Sequence, residues 1–357
     1  GSIKSLTGTI AIVEIAVLDA EKMAFDEINA SGGVLGRQVD LIVEDGASDW
    51  PTYADKARKL LEKDKVAAIF ACYTSASRKA VLPVVEELDG LLYYPTYYEG
   101  MEQSPNILYT GQEATQQTLP AVDWMMDQQG KKTFYFIGSD YVWPRTTNKI
   151  ARTAIERKGG KVVGEEYKPL GDTNFGALIN KIRAARPDAV FSTVVGGSNV
   201  AFLKQMAAAG LKDRVMVMNM AVTEEEVRGI GAQNVAGTYT SMGYFQSIDT
   251  PANAKFVEKF KATYGDDRVL GDTLAVAYIQ PYLWKAAVEK AGSFDVDKVL
   301  AASAGLELVA PEGTVKFHET NHHLYKHARI GEFLPDGQVK ILYETELIEP
   351  DPFPEGF

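Results

Sequence analysis

Short apolar runs rich in β-branched and aromatic residues alternate along this chain with amphipathic stretches of helical length, and that alternation restricts the fold more than any single motif. The sequence predicts strands at Ile3–Leu6, Val39–Val43, Val66–Cys72, Leu91–Tyr94, Ile107–Gly111, Thr133–Ile137, Lys161–Gly164, Ala189–Val195, Val215–Met220 and Thr238–Tyr244. Such runs are nearly continuous in apolar residues, as parallel strands are when helices cover both sheet faces. Predicted helices fall between them, among them Leu18–Ala30 closed by Gly32 and Gly33, Thr52–Lys63 opened by Asp49-Trp50-Pro51, Ser75–Leu88 followed by Gly90, and Leu274–Ala291. This is the pattern of an α/β, doubly wound fold with right-handed crossovers. Ten parallel strands in one sheet would be unusual, and 357 residues at roughly 150 per domain leave room for two sheets. Two Rossmann-like lobes are therefore expected. No Gly/Ser linker separates them, so the chain is expected to cross between lobes more than once.

Composition removes several classes of function. The 37 basic and 48 acidic side chains leave a net charge of −11, which opposes binding to a phosphate backbone, and nucleic acid is not an expected partner. Neither a GxGxxG after a strand nor a GxxxxGK[ST] is present, and no GxSxG elbow supports hydrolase chemistry. A single cysteine, Cys72, excludes an internal disulfide and a thiolate zinc cage. His318, His322, His323 and His327 lie close in sequence, but their spacing suits a surface or hydrogen-bonding role better than metal ligation. No cofactor is expected.

What remains is a set of hydroxyl and aromatic side chains at the carboxyl ends of predicted strands. CYTSAS runs from Cys72 to Ser77, YYPTYYEG from Tyr93 to Gly100, GSDYVWP from Gly138 to Pro144, and GGSN from Gly196 to Asn199. In open α/β sheets ligands bind at this edge, where helix N-termini also present free N–H groups. Taken singly, a Tyr there packs on a loop and a Ser or Thr caps a helix. Taken together, without a concentrated base or nucleophile, they indicate binding of a small polar neutral molecule and no conversion of it.

At these same segments the sequence resembles the urea and short-chain amide binding proteins, a branch of the type I periplasmic binding protein family of branched-chain amino-acid type. The likeness runs nearly the whole chain: SLTGT, EINASGGVLGR, EDGASDWPTYADKA, TSASRKAVLPV, GSDYVWPRTTNKI, AVFSTVVGGSNVAF, EEEVRGIG, YFQSIDTP, NHHLYK and EPDPF. The resemblance implies two lobes hinged by three crossovers, lobe one taking residues 1–112 and 241–310 and lobe two 113–240 and 311–357. It carries over Tyr73, Ser75, Tyr94 and Thr96 as ligand contacts from lobe one, and Tyr141 and Trp143 as an aromatic wall from lobe two. Transport-type relatives read CWTS and YPVQYEG, and the cytoplasmic amide sensor that restrains an amidase operon reads CYMS and YPTPYEG. Here CYTS and YPTYYEG share Tyr73 and Thr96 with the sensor and Thr74 with the transporter, while Tyr97 matches neither. EEEVRGIG and SNVAFLKQM resemble the transporter.

The implied partners are a small neutral ligand (urea, formamide or acetamide) and an ABC permease, with the protein periplasmic or lipoprotein-anchored outside the cell. The alternative is a cytoplasmic sensor acting on a protein partner. Urea offers four N–H donors and one carbonyl, so a dry site must supply acceptors. Ser75, at a helix start, is expected to turn its hydroxyl toward the ligand oxygen, with Tyr94 and Thr96 accepting N–H groups and Tyr141 or Trp143 covering the flat face. Glu14 is either a bidentate acceptor for two ligand N–H groups or a solvated acid at a helix start.

Overall fold

The computed structural model describes residues 1–357 and contains two main sheets. The first holds β1 (Ser2–Lys4), β2 (Val43–Asp45), β3 (Ile69–Ala71), β4 (Leu92–Tyr94) and β5 (Ile107–Tyr109), all parallel, in the order β2-β1-β3-β4-β5. The second is built on β6 (Thr133–Ser139), β7 (Lys161–Lys168), β8 (Ala189–Thr193), β9 (Met216–Asn219) and β10 (Tyr239–Met242), also parallel. Next in the chain comes a small antiparallel sheet of β11 (Glu307–Ala310), β12 (Gly313–Phe317) and β13 (Leu324–Tyr325). Antiparallel β14 (Arg329–Phe333) and β15 (Val339–Glu344) complete the second sheet, whose order is β15-β14-β10-β9-β8-β6-β7. The fold is thus two α/β lobes, as the alternation of elements predicts.

All ten predicted strands exist, but Val39–Val43 pairs only from Val43 onward; residues 39–42 run beside β1 with one bond, Ser2 N–H to the Ile42 carbonyl at 2.8 Å. The first helix starts at Ala11, seven residues earlier than its periodicity indicates. Val13, Ala16, Val17 and Ala20 are all buried, so its opening turns carry no polar stripe for a 3.6-residue pattern to reveal. Two short helices, Glu224–Ile230 and Ala232–Val235, have no counterpart among the predicted elements.

The chain leaves the first lobe after β5, returns after β10 and leaves again between β13 and β14. This moves the third crossing from the expected 310/311 to the 326–328 segment. Val315, Phe317 and Leu324 pack in one core with Phe70 and Trp284, and that apolar face keeps the small sheet on lobe one. The tail returns to lobe one as well, where Met101 N–H bonds the Pro352 carbonyl at 2.7 Å, and ends on lobe two with Arg157 donating to the Gly356 carbonyl at 2.6 Å. Three glutamines tie the crossings together. Gln112 donates to the His327 carbonyl, Gln116 to those of Leu324 and Ile348, and Gln117 to those of Met220 and Ser241, at 2.9–3.1 Å. Tyr244, at the second crossing, is buried, with its hydroxyl on Asn253 Oδ1 at 2.6 Å.

His323 is not a surface residue. Its ring lies 4.3 Å from that of Tyr109 and 3° from parallel, its Nδ1 meets the Asn321 carbonyl at 2.6 Å, and its Nε2 meets the Tyr98 hydroxyl at 2.5 Å. Burial pushes its pKa down to about 3. The unfolded chain takes up this proton near pH 6.5 and the folded chain only near 3, so the group's contribution to stability is lost as pH falls across that window. His323→Gln is expected to cost about 1–3 kcal/mol at pH 7.5, from lost stacking on Tyr109 and loss of the short bond to Tyr98, whose hydroxyl keeps only the Glu102 carbonyl at 3.1 Å. It should also flatten the decline between pH 6.5 and 4 in guanidinium chloride unfolding, and a slope equal to the parent's would place the source elsewhere.

Candidate functional site

β3 and β4 end side by side, and the loops that leave them form one wall of the interlobe cleft. After β3, Cys72 turns the chain with φ +73°, and Thr74 caps the helix Ser75–Glu87 by accepting Ser77 N–H at 3.1 Å. After β4 the Thr96–Tyr97 turn lies directly on Gly111, where a Cβ would come within 2.2 Å of the Thr96 carbonyl, so only glycine permits the approach. Tyr94 donates to the Tyr73 carbonyl at 3.1 Å, which locks the two strand ends together.

The other wall comes from lobe two, where β6 passes through Asp140 into the helix Val142–Arg157. Arg145 holds that turn, pairing with Asp140 at 2.6 Å and lying over the Tyr167 ring at 4.2 Å. The turn aims Trp143 at lobe one, with its ring 5.5 Å from that of Tyr97 and 6.4 Å from that of Tyr141. Tyr97 therefore points inward. Tyr73, Tyr97 and Tyr141 are enclosed, and desolvation holds each phenol well above its usual pKa, keeping all three neutral.

Seven of the eight expected side chains thus converge where the lobes meet: Tyr73, Ser75, Tyr94, Thr96, Tyr97, Tyr141 and Trp143. Glu14 lies behind them. It is 1% exposed, and its Oε2 accepts Ser5 N–H at 2.8 Å and the Tyr53 hydroxyl at 2.6 Å, so the solvated helix-start reading fails. Ser75 also departs from expectation. Its hydroxyl donates to Glu99 Oε2 at 2.5 Å and so cannot donate to a ligand oxygen. In GGSN, Asn199 donates to the Ala221 carbonyl and keeps Oδ1 buried without a protein partner, Ser198 accepts Gly171 N–H, and Gly196 brings lobe two up to Thr9, 3.2 Å from where a Cβ would stand.

One acid absent from the expected set acts on two of these phenols. Glu226, third in the helix Glu224–Ile230, closes a capping box by accepting the Thr223 N–H and hydroxyl through Oε2, at 2.7 and 2.5 Å. Its field reaches Tyr73 and Tyr97, and enclosure in the cleft wall pushes its carboxyl up to about 7. The T-x-x-E of a capping box is visible in the sequence; which side of the cleft it faces is not.

Glu14 keeps its Oε1 unpaired, and among the seven, two polar atoms are likewise buried without a protein partner, Thr96 Oγ1 and Trp143 Nε1–H. One can donate or accept and the other only donates. No unpaired cation joins them, since Arg78 is held by Glu99 and Glu102 and Arg145 by Asp140. Two cavities lie elsewhere: about 660 Å³ beside Phe70, Trp284 and Phe294, and about 330 Å³ at the rim between Ile12, Ile15, Arg228 and Arg268. Neither is lined by any of the seven.

Two α/β lobes with polar groups converging between them are matched by a family profile described as "Periplasmic binding protein domain", over residues 1–356. The chain belongs to the periplasmic binding protein family. This binding protein is 24% identical over 368 residues to Leu/Ile/Val-binding protein homolog 7 of Brucella melitensis biotype 1, a match covering 96% of this chain and 90% of that one. A solute binding protein of an ABC transporter from Rhodopseudomonas palustris HaA2, solved with p-hydroxybenzoic acid, superposes with TM-score 0.88 at 25% identity over 97% of this chain and 96% of its own. A leucine binding protein from Thermotoga maritima MSB8 superposes with TM-score 0.86 at 21% identity, covering 96% and 97% of the two chains. The chain is thus a substrate-binding protein of the ABC-transporter type and not an enzyme. No helix of this binding protein is long and apolar enough to cross a membrane.

A hydroxyl kept buried without a partner destabilises the fold that keeps it. Thr96→Val preserves shape and removes the unpaired group, so the ligand-free binding protein is expected to gain about 1 kcal/mol in chemical unfolding. A loss of stability would mean that Thr96 serves packing alone.

Proposed function

We propose that this protein captures urea or a short-chain amide between its lobes, outside the cytoplasm, and delivers it to an ABC permease. The observation that carries the reading is a pair of buried groups without a protein partner, an indole N–H at Trp143 and a hydroxyl at Thr96, beside the capping carboxylate of Glu226 and with no unpaired cation among them. A carbonyl meets the indole N–H, and amino groups meet the hydroxyl and the carboxylate. A ligand carboxylate would face Glu226 without a counter-ion, at a cost that a neutral amide avoids. This distinguishes the reading from the aromatic acid held by the Rhodopseudomonas relative.

Urea has few atoms with which to bind. At about 1.5 kcal/mol per non-hydrogen atom, its four limit the affinity to about 6 kcal/mol, a dissociation constant of about tens of micromolar. Calorimetry with urea, formamide and acetamide beside leucine and 4-hydroxybenzoate is expected to give heat with at least one of the first three and none with the last two. Binding of leucine or 4-hydroxybenzoate with silence from all three amides would overturn the assignment.

Glu226 sets a pH signature. With its carboxyl near 7, the ionised form that accepts ligand N–H groups dominates above that pH and the protonated form below it. Ligand affinity is therefore expected to rise several-fold between pH 6 and 8, and Glu226→Gln should weaken binding and abolish the rise. A titration that keeps its slope in this variant would remove Glu226 from the site.

A further inference from the structure

We infer that Glu99 is the positioning residue that decides the ligand class, by taking the only proton of Ser75 and leaving that hydroxyl to meet the ligand solely as an acceptor. The inference rests on the amide reading above and adds to it which side chain enforces the choice.

A serine hydroxyl has one proton and two lone pairs. In Ser75 the proton goes to Glu99 Oε2 at 2.5 Å, and Arg78 Nη1 donates to one lone pair at 3.2 Å. One lone pair remains. Glu99 is 1% exposed and paired with Arg78, so as an ionised carboxylate it can only accept. Its bond to Ser75 cannot run the other way.

Neutralising Arg78 does not by itself explain Glu99. Glu102 already takes Arg78 Nε at 2.6 Å and Nη2 at 3.4 Å. Glu99 reaches the same guanidinium only at 3.4 Å and keeps its short bond for Ser75. A ligand N–H finds a lone pair at Ser75, whereas a carboxylate oxygen finds another lone pair and no donor. The same helix start with a free serine proton would favour the carboxylate.

Glu99→Gln reverses the polarity with almost no change of shape. Arg78 can only donate, so it draws the amide oxygen of the new side chain to itself, which turns the amide nitrogen toward Ser75 and releases the serine proton to the cleft. By calorimetry, the parent is expected to bind urea or acetamide and not acetate, while E99Q should bind the amide at least tenfold more weakly and acetate at least tenfold more tightly. Ser75→Ala should lose amide affinity without gaining acetate, which separates a change of polarity from general damage. An unchanged ratio of amide to acetate affinity in E99Q overturns the inference. Neutron diffraction from perdeuterated crystals decides it without any ligand: a deuteron lying between Ser75 and Glu99 supports it, and one directed into the cleft overturns it. A parent silent to every amide would instead sink the proposed ligand, with the deuteron still reporting on Glu99.

Discussion

A guanidinium with no solvent-exposed surface holds up the floor of the cleft. Arg78 projects from the helix after β3 into the space beneath the loop after β4, where Glu99 and Glu102 neutralise it and the rings of Tyr94 and Tyr98 lie 4.6 and 4.4 Å from its Cζ. An ion this deep is costly to desolvate, and removing one partner of such a pair costs about 3–5 kcal/mol because the other charge is stranded. The network is satisfied on many sides. Burial alone would raise the Glu102 carboxyl, but Arg78 and Lys79 outweigh it and hold it down at about 2, while the Tyr109 hydroxyl donates to it at 2.9 Å. Because Tyr109 stacks on His323, this one charge fixes Ser75, Tyr94, the end of β5 and the chain approaching the third crossing.

The lobe junction works by a different principle. Glu224 of lobe two and Asp272 of lobe one are buried near each other, each with one carboxylate oxygen lacking a protein partner, and burial raises their carboxyls to about 8 and about 6. Glu224 Oε1 takes Gln246 N–H at 2.8 Å, while Asp272 Oδ1 takes the N–H groups of Gly243 and Tyr244 at 3.0 and 2.9 Å. At neutral pH Glu224 is mostly protonated, so these two acids form no ion pair that would pull the lobes together. Cohesion here comes instead from close approach, as where Gly271 leaves no room for a Cβ beside Thr223 Oγ1, and from aromatic contact between Tyr97 and Trp143. Only one exposed ion pair, Arg228 with Asp267 at 3.0 Å, crosses the rim of this junction, whereas the floor under Ser75 cannot move without breaking several buried ones.

Much of this is legible in the residues taken in order. Strands β1, β3, β4, β5 and β8 are buried throughout, so their positions stand out, and the strand-end rule leads directly from strand positions to CYTS, YPTY and DYVW. The direction of each bond is not legible in the same way. Ser75 as donor or acceptor depends on Glu99, 24 residues away and brought near by the pairing of β3 with β4. Glu14 is an acid in an apolar stretch, and only the fold reveals Ser5 and Tyr53 waiting behind it. The third crossing falls away from the place the resemblance implies, because residues 310–313 turn a hairpin between β11 and β12 within lobe one. Glu226 escapes notice within EEEVRGIG, since a capping glutamate on a solvated helix has the same sequence.

Relatives of this fold hold ligands as different as leucine and a hydroxybenzoate, so architecture alone does not choose the ligand. Volume and unpaired polarity do. Tyr97 reaches Trp143 across the cleft, and Gly196 sits against Thr9 nearby, so a benzoate ring between the lobes would have to displace one of these contacts. A planar molecule of four heavy atoms makes no such demand. It also brings what the lining lacks, because each amino hydrogen placed on Thr96 or Glu226 and each carbonyl placed on Trp143 satisfies a group that the folded protein leaves partly desolvated. On that account most of the discrimination is already present in the protein before the ligand arrives, as the cost of polar atoms buried in advance of their partners.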